Sequence, residues 1–313
     1  MRLLKLVPDG TNIPFMRVRN LGFALALAFT LAGILLVAVR GLNFGVDFAG
    51  GLMIEARFAR PVPLDRLRAE VNGLGFGPGS LQAFGDPRTV AIRLPLPKGD
   101  EEAVQRMVKS VQRALVDRYP GVEFRRVETV SGKVSGELIR QAALAVLFAM
   151  VGIAIYIWFR FEWQFGVGAL VALVHDVAVT LGLFALFRWE FNLSIIAAVL
   201  TIVGYSLNDT IVVYDRIREN LRKHRKMDMI PLLDLSLNET LSRTIVTSLT
   251  MVIALAALVL FGGQVLFGFS IAMLIGVVVG TFSSLYIGAP ILLWLGVGPH
   301  SFVPADAPRA QRP

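Results

Sequence analysis

Six long apolar stretches, near 21–39, 141–159, 164–187, 193–214, 240–262 and 267–295, are separated by shorter polar segments along the 313-residue chain. Each is long enough to cross a hydrocarbon core ~30 Å thick, for which a helix needs ~20 residues. The pattern predicts a polytopic α-helical membrane protein with six transmembrane helices. RFEWQ (160–164) and RWEFN (188–192) are tight connections and predict antiparallel neighbours. A short FGGQVLFG turn separates the fifth and sixth stretches, and Pro290 is expected to bend or end the last one. The first stretch follows Arg2, Lys5, Arg17 and Arg19. It is too long for the apolar region of a secretory signal, and VAVRGLNFG after it offers no A-x-A-like site. An uncleaved first helix is expected.

Between the first two apolar stretches, residues 40–140 change character. LMIEARF (52–58) alternates like a strand, and PLDRLRAEVNGLG (63–75) reads as a short amphipathic helix ended by glycine. SLQAFG (80–85) and TVAIRLPL (89–96) read as strands around a GDPR turn. EEAVQRMVKSVQRALVDRY (101–119) carries apolar residues at helical spacing behind the N-cap candidate Asp100, and VEFRRVETV (122–130) closes the set as a strand. The order β-α-β-β-α-β predicts a ferredoxin-like α+β domain inserted between helices 1 and 2.

Composition agrees with a membrane protein: 55% of residues are hydrophobic and the mean hydropathy is +0.65. A net charge of +8 would raise nucleic acid as a partner for a soluble chain. Here it reads as the cytoplasmic excess of Lys and Arg. With a cytoplasmic N-terminus, 1–20, 160–163, 215–243 and 298–313 hold fourteen Lys and Arg against one, Arg188, in the short outside loops. The predicted organisation is a cytoplasmic N-terminus 1–20, helix 1 at 21–39 and an extracytoplasmic domain 40–140. Helices 2–6 follow within 141–298, with a cytoplasmic loop 215–243 and a cytoplasmic tail 299–313. The outer domain mixes both signs of charge, so no nucleic-acid platform is expected. The run RKHRKMDM (222–229) reads as a solvated cytoplasmic face that could also touch anionic lipid.

Enzyme chemistry finds no foothold. Cysteine is absent, which excludes disulfides, zinc–thiolate and iron–sulfur sites. No phosphate-cradling G-x-x-x-x-G-K-[ST] occurs, nor an H-E-x-x-H zinc helix, and His175, His224 and His300 are scattered. There is no G-x-S-x-G elbow, and Asp176 and Asp209 lack the Y-D and G-x-G-D contexts of an intramembrane aspartyl protease. No metal, cofactor or catalytic residue is expected, and any work is driven by a partner or an ion gradient.

The candidate chemistry lies in ionisable residues inside the apolar stretches. Asp176, with His175 beside it, sits near the middle of the third helix. Asp209, preceded by Asn208, lies about four residues inside the end of the fourth, and Arg243 near the start of the fifth. A charge at the bilayer centre costs roughly 2.5–3.5 kcal/mol on insertion scales, so such groups are normally retained for a reason. A carboxyl that gains and loses a proton near neutral pH would serve a proton relay. Asp209 and Arg243 fall at similar depth on antiparallel helices, which predicts a switchable pair. The plainer readings stay open: Asp209 facing headgroups, Arg243 as an interfacial anchor, and His175 and Asp176 as a structural hydrogen bond between helices.

Two glycine patterns read as structural. Gly276, Gly280, Ser284 and Gly288 recur every four residues, the small-residue stripe of close helix packing in membranes. FGVDFAGG (44–51) follows the first helix. Its Gly45, Asp47, Gly50 and Gly51 predict a tight junction aiming the outer domain, with a moving hinge as the alternative.

FGVDFAGG, ALVHDVAVTLGLF, VGYSLNDTIVVYDRIREN and SRTIVTSLT together resemble the SecF branch of the SecD/SecF family of bacterial protein-export subunits. The resemblance runs from the first helix to the last, and implies six helices of a pump related to the resistance-nodulation-division superfamily. It implies SecD as heterodimer partner, the SecY–SecE–SecG channel, YajC and YidC as further candidates, and preprotein drawn outward with the proton gradient. Asp209 and Arg243 match the family positions implicated in proton flow, and Asp176 matches a third-helix family position. The rival class is a half-transporter of the same superfamily exporting small molecules or lipids. A purely structural scaffold is the third reading.

Overall fold

The computed structural model describes residues 7–8, 10–84, 86–97 and 101–298. The N-cap candidate Asp100, His300 and the tail 299–313 lie outside these, as do Arg2 and Lys5. In chain order, α1 (Arg19–Arg40) is followed by β1 (Gly51–Arg57), α2 (Leu64–Asn72), β2 (Ser80–Phe84), β3 (Asp86–Leu94), α3 (Glu101–Arg118) and β4 (Glu123–Val130). Then come α4 (Gly132–Arg160), α5 (Trp163–Phe187), α6 (Leu193–Lys223), α7 (Met229–Phe261) and α8 (Gly263–Ser283). The last of these runs on through a π turn (Ser284–Gly288) into a short helical piece (Ala289–Trp294). Among the described residues six helical spans are long and apolar enough to cross a membrane. The chain is a multi-pass membrane protein with a sheet-containing domain between its first and second spans.

Contacts divide the chain into two units, one of which is residues 44–145 with 190–193. Its sheet is antiparallel in the order β2-β3-β1-β4, which is the ferredoxin-like arrangement expected from the β-α-β-β-α-β series. The register places Ile54 between Ile92 and Val127. Alternation explains the core: Leu52, Ile54 and Ala56 of β1 join Val90, Ile92 and Leu94 of β3 on one face. Leu67 and Val71 of α2 and Met107, Val111 and Leu115 of α3 cover that face, each at helical spacing.

The other unit holds most of the membrane-spanning helices. Its aliphatic side chains are buried where helices meet and exposed elsewhere, as a lipid-facing surface requires; Phe159 of α4 and Phe261 of α7 are both 86% exposed. Helices α1 and α5 approach closely. A Cβ on Gly33 would fall on the Ala178 carbonyl oxygen, and one on Gly182 on the Gly33 backbone. At one end of the bundle Phe161, Phe165 and Tyr214 form an aromatic cluster with Met16, Ile217 and Leu221 around it.

The segment 215–243 is not the loop expected from its charge. The fourth span stays helical to Lys223 and the fifth begins at Met229, leaving only a short turn. Hydropathy drops where Arg and Glu become dense, yet Ile217 and Leu221 continue the buried face of α6, and Leu232, Leu233 and Leu237 begin that of α7. Long charged side chains cover the other faces, including the ion pairs Lys223–Glu219 and Arg216–Glu219. Pro290 does not end the last helix either. It stands in the first turn of the final helical piece, just after the π turn, where its missing N–H is tolerated.

Candidate functional site

Helix α6 turns Ser206, Asp209, Thr210 and Val213 onto one buried face, at the i, i+3, i+4, i+7 spacing of a helix stripe. Asn208, one position away, is therefore exposed, and takes no place in the site. Asp209 Oδ1 accepts from Thr244 Oγ1 of α7 at 2.8 Å, and Oδ2 accepts from Ser284 Oγ, the first residue of the π turn, also at 2.8 Å. Both carboxylate oxygens are thus held by hydroxyl donors from two neighbouring helices.

The second carboxylate lies on the same polar strip. Asp176 of α5 is fully buried, and its Oδ2 accepts from Ser206 Oγ at 2.5 Å and from Ser283 Oγ at 3.0 Å. Its Oδ1 is buried without a hydrogen-bond partner. His175, the next residue back, points elsewhere, with Nδ1 at 2.8 Å from Thr30 Oγ1 of α1. The two neighbours therefore do not form one hydrogen-bonded unit.

Arg243 does not form the ion pair anticipated with Asp209. Its side chain is exposed, and among the described residues Asp209 has no cationic contact. The residue after Arg243, Thr244, provides the contact instead. The depth expected from the sequence holds while the side of α7 differs, because successive helix positions are turned by about 100°.

The stripe of α8 resolves into two roles. Gly276 admits Ile202, Gly280 lies against Ser206, and Gly288 takes the Tyr214 hydroxyl on its carbonyl at 3.2 Å. Ser284, which its spacing marked only as a packing residue, donates to Asp209. Nothing in the sequence alone marks Ser206, Thr244 and Ser283 as site residues. Their available signal was polarity on the aspartate-bearing face of α6 and a serine doublet beside the stripe, and lone hydroxyls are too common in membrane helices to have marked them.

The glycine-pair motif belongs to the sheet-bearing unit. Gly50 and Gly51 both have positive φ, at 67° and 119°, and a Cβ on Gly51 would come within 2.8 Å of the Leu94 carbonyl oxygen. Only glycine fits there. Asp47 Oδ2 accepts from the backbone N–H of Leu193 at 2.9 Å, and the Gly45 N–H donates to Phe191. A Cβ on Gly45 would crowd the Glu190 carboxylate. Among the described residues no group of three or more His, Asp or Glu could hold a metal ion.

Comparison with known proteins agrees with this architecture. Residues 110–298 match the family described as "Protein export membrane protein SecD/SecF, C-terminal", and residues 35–62 match the "SecD/SecF GG Motif". The protein translocase subunit SecF of Rickettsia rickettsii is 43% identical over 290 residues, covering 92% of this chain and 94% of that one. The SecF of Pseudomonas aeruginosa is 42% identical over 296 residues, 95% of each chain. The crystal structure of SecDF from Thermus thermophilus, described as a translocon-associated membrane protein, superposes with a TM-score of 0.84 at 35% identity over 91% of this chain. A SecDF structure in a super-membrane-facing form gives 0.69 over 94%. The chain spans only about two-fifths of those SecDF chains, 39% and 40% respectively. With six spans, the glycine pair and near full-length identity to SecF subunits, the chain belongs to the SecD/SecF family as a SecF-type protein translocase subunit.

Proposed function

We propose that this chain is the SecF half of a SecD–SecF assembly in the bacterial inner membrane, with both termini cytoplasmic, and that it uses the proton-motive force to assist outward movement of preprotein. The observation that carries the reading is Asp209, buried between α6, α7 and α8 and held by hydroxyls alone. Hydroxyls can donate to a carboxylate and accept from a carboxylic acid, so they suit a group that changes protonation. A permanent cation in contact would hold it in one state. The gradient is adequate, because the potential alone supplies ~2.3 kcal/mol per charge per 100 mV.

A second subunit is supported by what the isolated chain leaves uncovered. Arg243 is exposed on an apolar helix beside the residue that contacts Asp209, a costly position unless protein covers it. SecD is the partner this reading assigns to that face, and the rest of the matched SecDF chains leaves room for it. The SecY–SecE–SecG channel, YajC, YidC and preprotein follow as partners of the assembly. The excess of cytoplasmic Lys and Arg supports the orientation, and the identity to translocase subunits weighs against a small-molecule half-transporter.

The test is Asp209→Asn in the native complex. The variant is expected to insert and to co-purify with SecD while gradient-stimulated preprotein export falls to the unstimulated level. Full stimulation in that variant removes Asp209 from the mechanism.

A further inference from the structure

Ser283 and Ser284 are adjacent, and they donate to two different carboxylates on two different helices, Asp176 at 3.0 Å and Asp209 at 2.8 Å. Each hydroxyl also has a second acceptor within reach. Ser283 Oγ lies 3.1 Å from the Gly280 carbonyl and Ser284 Oγ 3.0 Å from that of Thr281. A serine has one hydroxyl proton, so it serves one acceptor at a time. Both serines stand where α8 passes into its π turn, a place where backbone hydrogen bonding is already irregular.

We propose that the Ser283–Ser284 pair couples Asp176 and Asp209 into one two-site proton relay, in which each hydroxyl follows the protonation of its own carboxylate. When Asp209 is ionised, Ser284 donates to Oδ2. When a proton from the outer aqueous phase binds there, the acid donates to Ser284 Oγ, whose own hydrogen turns to the Thr281 carbonyl. Release of that proton to the inner phase restores the first arrangement, with no net change in the serine. Ser283 does the same between Asp176 and Gly280. Because the two residues share one turn of α8, a change at one hydroxyl alters the placement of the other. The buried Oδ1 of Asp176, which has no donor, is open to carry a proton.

The surroundings leave this coupling unmasked. The titratable or charged groups facing the strip are His175 on α5, which bonds Thr30, and Tyr205 and Tyr214 on α6, whose hydroxyls are engaged with Ser248 and Gly288. Among the described residues, Arg243 on α7 and Tyr286 within the π turn complete the set, and none of these is hydrogen-bonded to either carboxylate.

The inference rests on the proton-relay reading and is tested separately from it, by infrared pH titration of the SecD-bound protein in lipid vesicles. The carboxylic-acid band of Asp209 is assigned by its loss in Asp209→Asn. Of the two carboxylates Ser283 contacts only Asp176, yet in Ser283→Ala the Asp209 band is expected to titrate with a midpoint displaced by about one pH unit or more, the range that marks coupled sites. Ser283→Thr, which keeps a hydroxyl, should restore the wild-type midpoint, which a mere packing role would not do. If Ser283→Ala fails to insert, Asp176→Asn carries the same expectation. An Asp209 band that titrates as in wild type in both Ser283→Ala and Asp176→Asn overturns the coupling. Retained stimulation in Asp209→Asn overturns the relay itself, whatever the bands do.

Discussion

Glu70 of the sheet-bearing unit and the two aspartates buried in the helical unit are held in opposite ways. In the sheet-bearing unit Glu70 collects Tyr119, Arg66 and Arg118, and the two arginines are 74% and 63% exposed. In the helical unit Asp176 and Asp209 are buried, and among the described residues hydroxyls are the only hydrogen-bond partners of their carboxylates. Water explains the difference. At a wet surface an ion pair forms at little cost and contributes little, about 0–1 kcal/mol. Inside a bilayer a contact pair would be strong and hard to separate, whereas hydroxyl donors hold the group in place and leave its charge free to change. Burial pushes Glu55 up from the usual carboxylate value, while Arg125 and Arg126 oppose that shift.

Neutralising one carboxylate in each unit should therefore give unequal results. The largest effect is expected at Asp209, where Asp209→Asn removes gradient stimulation without unfolding the protein. Next comes the close approach of α1 to α5. Gly33→Ala places a methyl on the Ala178 carbonyl, which as backbone cannot turn aside. A loss of about 1–3 kcal/mol is expected, read as a lowered midpoint of thermal unfolding in detergent. Unchanged stability there would mean that α1 and α5 do not meet as described.

The smallest effect is expected at Glu70. Burial raises its carboxyl, but the hydrogen bonds from Tyr119, Arg66 and Arg118 outweigh burial and hold it below the usual value. Its stabilisation is thus present above the ordinary carboxylate range and lost as pH falls through the lowered folded value. Glu70→Gln should cost about 1 kcal/mol or less at neutral pH and nothing in acid, with export unchanged. Hydrogen exchange of α2 and α3 at two pH values measures it. A larger cost at low pH than at neutral pH would reverse the sign.

Much of this molecule is legible in its sequence, and the failures share a cause. The six spans follow from hydropathy, and the four-stranded sheet from the alternation in LMIEARF and TVAIRLPL, because burial against one face imposes a period of two. The extensions of α6 and α7 through 215–243 were hidden because charge density marks solvent exposure, while helicity follows Ile217, Leu221, Leu233 and Leu237 at their spacing. At the site, the aspartates stand out because a carboxylate in an apolar run is costly. Their partners do not, because Thr244, Ser206, Ser283 and Ser284 are cheap residues in a membrane helix. Only their placement across helices gives them a role. Gly33 and Gly182 are similar, since close approach is a property of two helices and neither sequence segment contains it alone.

The most direct test of the central claim measures proton entry into vesicles that contain the SecD-bound protein, with an imposed potential and preprotein engaged. Wild-type protein is expected to carry a proton flux that Asp209→Asn abolishes and Glu70→Gln leaves intact. An equal flux in wild type and Asp209→Asn would contradict the account.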